Sequence, residues 1–160
     1  MRITRASILT PLLFFILTPA FAIEAPRIVP RMQEIQKPAD EVYAALKRYF
    51  TDARLSRFQL VSEDKRTRTL VAKESGVDGE NWTKWAYCQT GAVQMIYKLE
   101  DGTVTVKVKL DKSTRHSTFA SVTADFQGTY GLGANQNKVD CTSKFVLEDT
   151  ILAAGAPPAK

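Results

Sequence analysis

Between Thr103 and Leu110 the chain alternates without a break: Val104, Val106, Val108 and Leu110 are apolar, and Thr105, Lys107 and Lys109 between them are polar. A period of two sends successive side chains to opposite faces of a strand, so such a segment has one face in a core and one in water. Half-buried strands of this kind belong to antiparallel sheets, because parallel sheets are covered on both faces and read as continuous apolar runs. The same alternation returns from Thr118 to Phe126, with Ala120, Val122, Ala124 and Phe126 on one side. Shorter strands are expected at Phe58–Ser62 and Arg68–Lys73, around the charged turn Glu63–Thr67. Upstream, Val93, Met95, Tyr97 and Leu99 alternate with Gln94 and Lys98, and Asp101-Gly102 reads as a tight turn joining that run to Val104.

Helical periodicity brackets these strands. After an extended entry from Arg27 to Gln36, in which Ile28, Pro30 and Met32 alternate with polar neighbours, Val42, Ala45, Leu46, Tyr49 and Phe50 fall on one face of a helix. Pro38 suits its first position, and Asp40 and Glu41 complement the positive end of its dipole. A closing helix is expected over Thr142–Ala154 from Phe145, Val146, Leu147, Ile151 and Leu152, with Gly155 to stop it. Gly128, Gly131, Gly133, Asn135 and Asn137 between the last strand and that helix read as a flexible loop. The expected fold is therefore α+β: a curved antiparallel sheet of about six to seven strands packed against an N-terminal and a C-terminal helix. In element order this resembles the helix-grip, or START-like, architecture, which also occurs in BamC-type periplasmic lipoproteins. The resemblance is carried by Val42–Phe50, the Met95–Leu110 hairpin and Phe145–Leu152.

The first 22 residues read as a cleavable secretory leader. Arg2 and Arg5 precede the apolar run Ile8–Leu17, and Ala20 and Ala22 occupy the small-residue positions of a cleavage site. The run falls short of the ~20 residues needed to span a bilayer and contains Pro11, with Pro19 after it. Ile23 follows Ala22, so the lipidated cysteine of the BamC-type proteins has no counterpart. Of 160 residues 138 remain, read as one domain over 23–155 with a frayed tail at 156–160. The expected location is the periplasm, as a soluble protein after cleavage, or beyond it as a secreted one. Loss of Arg2 and Arg5 lowers the net charge from +5 to +3, a mild excess. Lys65, Arg66, Arg68, Lys107 and Lys109 read as solvated faces, not as a nucleic-acid footprint. Attraction to anionic envelope surfaces is the residual expectation from the summed field.

Cys88 and Cys141 are the two cysteines, and in an oxidising compartment a single pair is expected to bond. No C-x-x-C is present, so the bond reads as structural. Catalytic chemistry finds little material. His116 is the single histidine, set in the polar stretch Lys112–Ser117, and two cysteines with one histidine fall short of a four-ligand zinc site. The glycine-rich stretch lacks the Lys-Ser or Lys-Thr that closes a phosphate loop. Asp78 with Glu80, and Asp125 with Glu148, are the carboxylate pairs that glycoside hydrolysis would require. No catalytic residue, metal or cofactor is assigned, and a non-enzymatic protein is expected.

Aromatic residues offer a candidate binding surface. Trp82, Trp85 and Tyr87 lie within six residues beside Cys88, and as a strand they would place Trp85 and Tyr87 on one face with Trp82 at its mouth. They serve either as core braced by the disulfide or as a platform for a glycan or a partner protein. Tyr130 and Leu132, held between glycines, read as a lip over a groove. Two functions are therefore weighed. One is an envelope binding or accessory protein that engages a protein partner or an apolar ligand through a groove or aromatic rim; a cavity lined by Val42, Leu46, Phe126 and Ile151 would favour it. The other is a periplasmic inhibitor or immunity-type protein, for which a filled core and a protruding loop over Gly128–Asn137 would speak.

Overall fold

The computed structural model describes the backbone of residues 28–77, 79–88, 99–132 and 135–156, and the side chains of these except 79–81, 99–101 and 130–140. The leader at 1–22, the strand expected around Met95, Asp78 and the last residues of the tail lie outside the described residues, as do the side chains of Glu80, Tyr130 and Leu132. Within them the chain runs β1 (Arg31–Ile35), α1 (Ala39–Thr51), β2 (Gln59–Asp64), β3 (Thr69–Ser75), α2 (Gly79–Trp85), β4 (Ala86–Cys88), β5 (Leu99–Ser113), β6 (Thr118–Leu132), β7 (Asn135–Ser143) and α3 (Val146–Gly155). The strands form one antiparallel path ordered β2-β3-β5-β6-β7-β4, with β1 also paired to β6. The α+β class and the helices flanking a sheet are those expected from the sequence.

The alternation decides which face is buried. Leu70 and Ala72 of β3, Val104, Val106, Val108 and Leu110 of β5, and Ala120, Val122, Ala124 and Phe126 of β6 share the inner face, each 5 % exposed or less. Ile35, Val42, Leu46 and Phe50 close over them from β1 and α1, and Leu147, Ile151 and Leu152 from α3, in one core cluster. Each such side chain contributes about 1.5–3 kcal/mol by leaving water, so the helix layer is held by its apolar face. The helices also touch each other: a Cβ on Gly155 would lie 3.2 Å from both Ile35 and Leu46. Thr118, fully buried where β6 begins, donates its hydroxyl to the Lys37 carbonyl at 2.9 Å and ties β6 to the approach to α1.

The 15-residue strand β6 sets the long axis of the sheet. One of its edges is taken by β5 between 118 and 130; the other is shared, with β1 along 118–122 and β7 along 127–132. Residues 123–126 lie between these partners, and a notch of about 50 Å³ opens there, lined by Ile28, Val29, Ala124, Asp125, Thr142 and Phe145 among others.

Four expectations are corrected. Asp101-Gly102 is not a hairpin turn: both residues lie within β5, opposite Thr129 and Gly128 of β6. Glycine is needed at 102 because the Trp82 ring lies against it, 2.5 Å from where a Cβ would stand. Within the stretch Gly128–Asn137, residues 128–132 and 135–137 are not a loop, since 127–132 and 135–140 pair as β6 and β7. Residues 142–143 belong to β7, so the closing helix starts at Val146, after Phe145 in a left-handed conformation (φ 64°). Finally, Trp85 does not share a strand with Tyr87, nor does Trp82 stand at a strand's mouth: α2 runs Gly79–Trp85. The three-residue spacing of Trp82 and Trp85 in this short helix is helical.

Candidate functional site

Each residue expected to form the aromatic surface now has a place. Trp82 is 3 % exposed and belongs to the core: it meets Phe126 edge to face at 5.6 Å and donates its indole N–H to Cys88 Sγ at 2.8 Å. It is therefore removed from any exposed rim. Trp85 is partly buried, and Tyr87, 58 % exposed, points outward from β4. These two do not share a strand face, because α2 ends at Trp85 and β4 begins after it. Tyr130 and Leu132 stand opposite Asn137 and Asn135 in the β6–β7 ladder, so as backbone they form a hairpin arm. The Cys88–Cys141 disulfide is present and links directly opposed residues of β4 and β7, with Cα atoms 4.1 Å apart.

A larger concavity lies where sequence reading placed none. At the carboxyl end of α1 the chain turns through residues 52–58 into β2. Asp52 organises the turn by accepting the Arg54 amide and guanidinium at 3.0 Å, and Ser56 donates its hydroxyl back to the Tyr49 carbonyl at 2.7 Å. Between that turn and the start of β2 is an open groove of about 530 Å³, floored by Phe50 and Phe58 and rimmed by Ser56, Arg57, Gln59 and Leu60. The floor continues an aromatic series: Tyr49 to Phe50 at 5.4 Å, Phe50 to Phe58 at 6.1 Å, and Phe58 to Trp85 at 6.4 Å. Trp85 thus backs the groove's floor through Phe58 without lining the groove itself.

One charged pair marks the rim. Glu74 projects from β3 onto the inner face and is 4 % exposed, while Arg57, 64 % exposed, places its Nε 3.3 Å from Glu74 Oε1. Burial, then the Glu74 charge, pushes the Tyr49 phenol up from its ordinary value. Arg57 therefore has one face on a buried carboxylate and the other towards solvent at the groove. Beside it runs the outer edge of β2, which pairs with β3 alone among the described strands; Val61 of β2 is 62 % exposed, and Leu55, in the turn that leads to it, 49 %.

The arrangement offers shape, apolar area, a guanidinium and strand backbone. Among the described residues no three His, Cys, Asp or Glu side chains are grouped to hold a metal ion. His116 is exposed in the β5–β6 turn, where its backbone N–H donates to Thr114 Oγ1. Asp125 and Glu148 do not form a carboxylate pair: Asp125 is on the outer face of β6, beside Gln127, whereas Glu148 is fully buried beneath the inner face. Glu148 accepts the Ser143 hydroxyl at 2.8 Å through one oxygen, and burial raises its carboxyl above the usual range.

Comparison with known proteins adds a distant likeness. No family model matches the chain, and no curated protein matches it. A crystal structure of a DUF4468 family protein from Bacteroides ovatus ATCC 8483 aligns with 14 % identity and a TM-score of 0.37, over 71 % of this chain. The aligned part spans 64 % of that protein's length.

Proposed function

We propose that this chain is a non-enzymatic binding or accessory protein of the cell envelope, exported by its leader, and that it holds an extended segment of a protein partner at the α1–β2 groove. The observation that carries this reading is the groove itself: an aromatic floor, a guanidinium rim and, among the described strands, an edge of β2 with no strand partner, in one place. An extended segment adding to β2 would gain main-chain hydrogen bonds, and an apolar side chain laid over the buried Phe50–Phe58 pair would set its register. Arg57 would accept a carboxylate from the same segment.

An apolar ligand inside the body is the weaker form, because Val42, Leu46, Phe126 and Ile151 are 3 % exposed or less and pack in the core cluster. The inhibitor reading loses the loop it relied on, since most of Gly128–Asn137 is ladder-paired strand. Native mass spectrometry of protein recovered from the extracytoplasmic fraction tests the proposal. The expected result is a partner adduct that disappears in a Leu55→Asp/Val61→Asp variant. A bare monomer in every preparation, or an adduct indifferent to that variant, contradicts it.

A further inference from the structure

The opposite end of the molecule carries a second surface, independent of the groove. Because Thr69 of β3 stands opposite Lys109 of β5, the β2–β3 turn and the β5–β6 turn meet at one end of the sheet although 45 residues separate them. Arg68, in a left-handed conformation (φ 48°), joins them: its carbonyl accepts the Leu110 amide at 3.1 Å, and its guanidinium reaches Ser113 Oγ at 3.5 Å and Asp40 at 3.3 Å. Both turns are internally pinned. Asp64 accepts the amides of Arg66 and Thr67, and Thr114 Oγ1 accepts those of His116 and Ser117.

The acidic residues of this end are largely engaged: Asp40 by Arg68, Glu41 by Lys37, Asp111 by Lys109, and Asp64 by its own turn. Glu34, opposite Phe119, is the exception. Lys65, Arg66, Lys112 and Arg115 are exposed and make no ion pair among the described residues. Beside them stands Phe119, 39 % exposed on the outer face of β6, across from the irregularity in β5 that holds Asp111 and Lys112. Cations on convex turn tips with an exposed ring among them match the interface of a membrane. There the headgroup phosphates meet the cations and the ring sits at the boundary with the acyl chains, whereas a lone phosphate would be met by a concavity.

We infer that this hairpin end docks on an anionic lipid surface, with Lys65, Arg66, Lys112 and Arg115 against headgroup phosphates and Phe119 at the boundary with the acyl chains. The test is sedimentation with vesicles of phosphatidylglycerol in phosphatidylcholine, against vesicles of phosphatidylcholine alone. The chain without its leader, residues 23–160, binds the anionic vesicles and is released by salt. Lys65→Glu/Arg66→Glu and Lys112→Glu/Arg115→Glu each lower partition by roughly tenfold or more, and Phe119→Ser lowers it severalfold. A control pair on the open sheet face, Lys73→Glu/Lys107→Glu, makes the same change in net charge and alters binding by less than about twofold. All these positions are exposed, and circular dichroism verifies that the variants fold. Failure of the leaderless chain to bind anionic vesicles overturns the proposal. So does a control pair as damaging as the turn pairs, which would leave only net charge, or a Phe119→Ser protein that binds unchanged, which would leave only phosphate recognition.

Discussion

A methyl group at position 102 would stand 2.5 Å from Cζ3 and 2.6 Å from Cε3 of Trp82, inside any tolerable contact, whereas one at position 155 would meet Ile35 and Leu46 at 3.2 Å. The two glycines should therefore respond differently to the same substitution. Gly102→Ala forces the indole out of its place on Phe126 and is expected to cost about 1–3 kcal/mol in chemical denaturation. Gly155→Ala closes a helix with a better helix former and needs its neighbours to give only slightly, so a change within about 1 kcal/mol is expected. Equal losses at both would contradict the close approach of Trp82 to β5. Glu148 makes a third prediction at this scale. Its folded carboxyl titrates above its unfolded value because burial disfavours the charge, so the folded state binds the extra proton. The stabilisation this brings is complete below the unfolded value and is lost as pH rises through the folded one. Glu148→Gln keeps a neutral, hydrogen-bonding group beside Ser143 and should flatten that part of the stability profile. A variant that retains the wild-type slope would contradict it.

Among the elements, β4 is the one held least by its own ladder. It has three residues paired to β7, and its last, Cys88, is bonded to the residue opposite. Closing a loop of 53 residues contributes about 4 kcal/mol in the chain-entropy account. Cys88→Ser/Cys141→Ser should lose stability of that order and loosen β4 from β7 first, as amide exchange would report. Two titratable thiols in the oxidised protein would contradict the bond. The elements that sequence reading found are those whose information is local: α1, with its apolar face at i, i+3 and i+4, and β3, β5 and β6, with their alternation. Those it missed depend on partners distant in the chain. Asp101-Gly102 has the composition of a turn, yet glycine stands there to clear Trp82. β7 is polar through Asn135–Lys138 and becomes a strand because β6 extends beside it. For α2 a signal was available in the spacing of Trp82 and Trp85, and their nearness to a cysteine drew the reading towards a strand. The groove is lined by one contiguous segment, Phe50–Leu60, yet no periodicity marks it, because its shape comes from how the turn after α1 folds back and from the Arg57–Glu74 pair across to β3.

Taken whole, the molecule has two ends and two faces. α1 begins beside Arg68 at the hairpin end and finishes at the groove, so its axis joins the two surfaces to which functions are assigned. The helices cover the inner face, and the outer face keeps Lys73, Lys107 and Lys109 in water, as the alternation anticipated. A partner held at the groove and a lipid surface at the other end would not compete, so binding at one should leave the other unchanged. The central claim is that a protein partner sits at the groove, and site-specific photo-crosslinking in the native cells tests it most directly. With the photoreactive residue at Leu55 or Val61, beside the groove and the open edge of β2, one adduct of the same mass is predicted from both positions and none from Lys107 on the open sheet face. Absence of an adduct at Leu55 and Val61, or the same adduct from Lys107, would contradict the account.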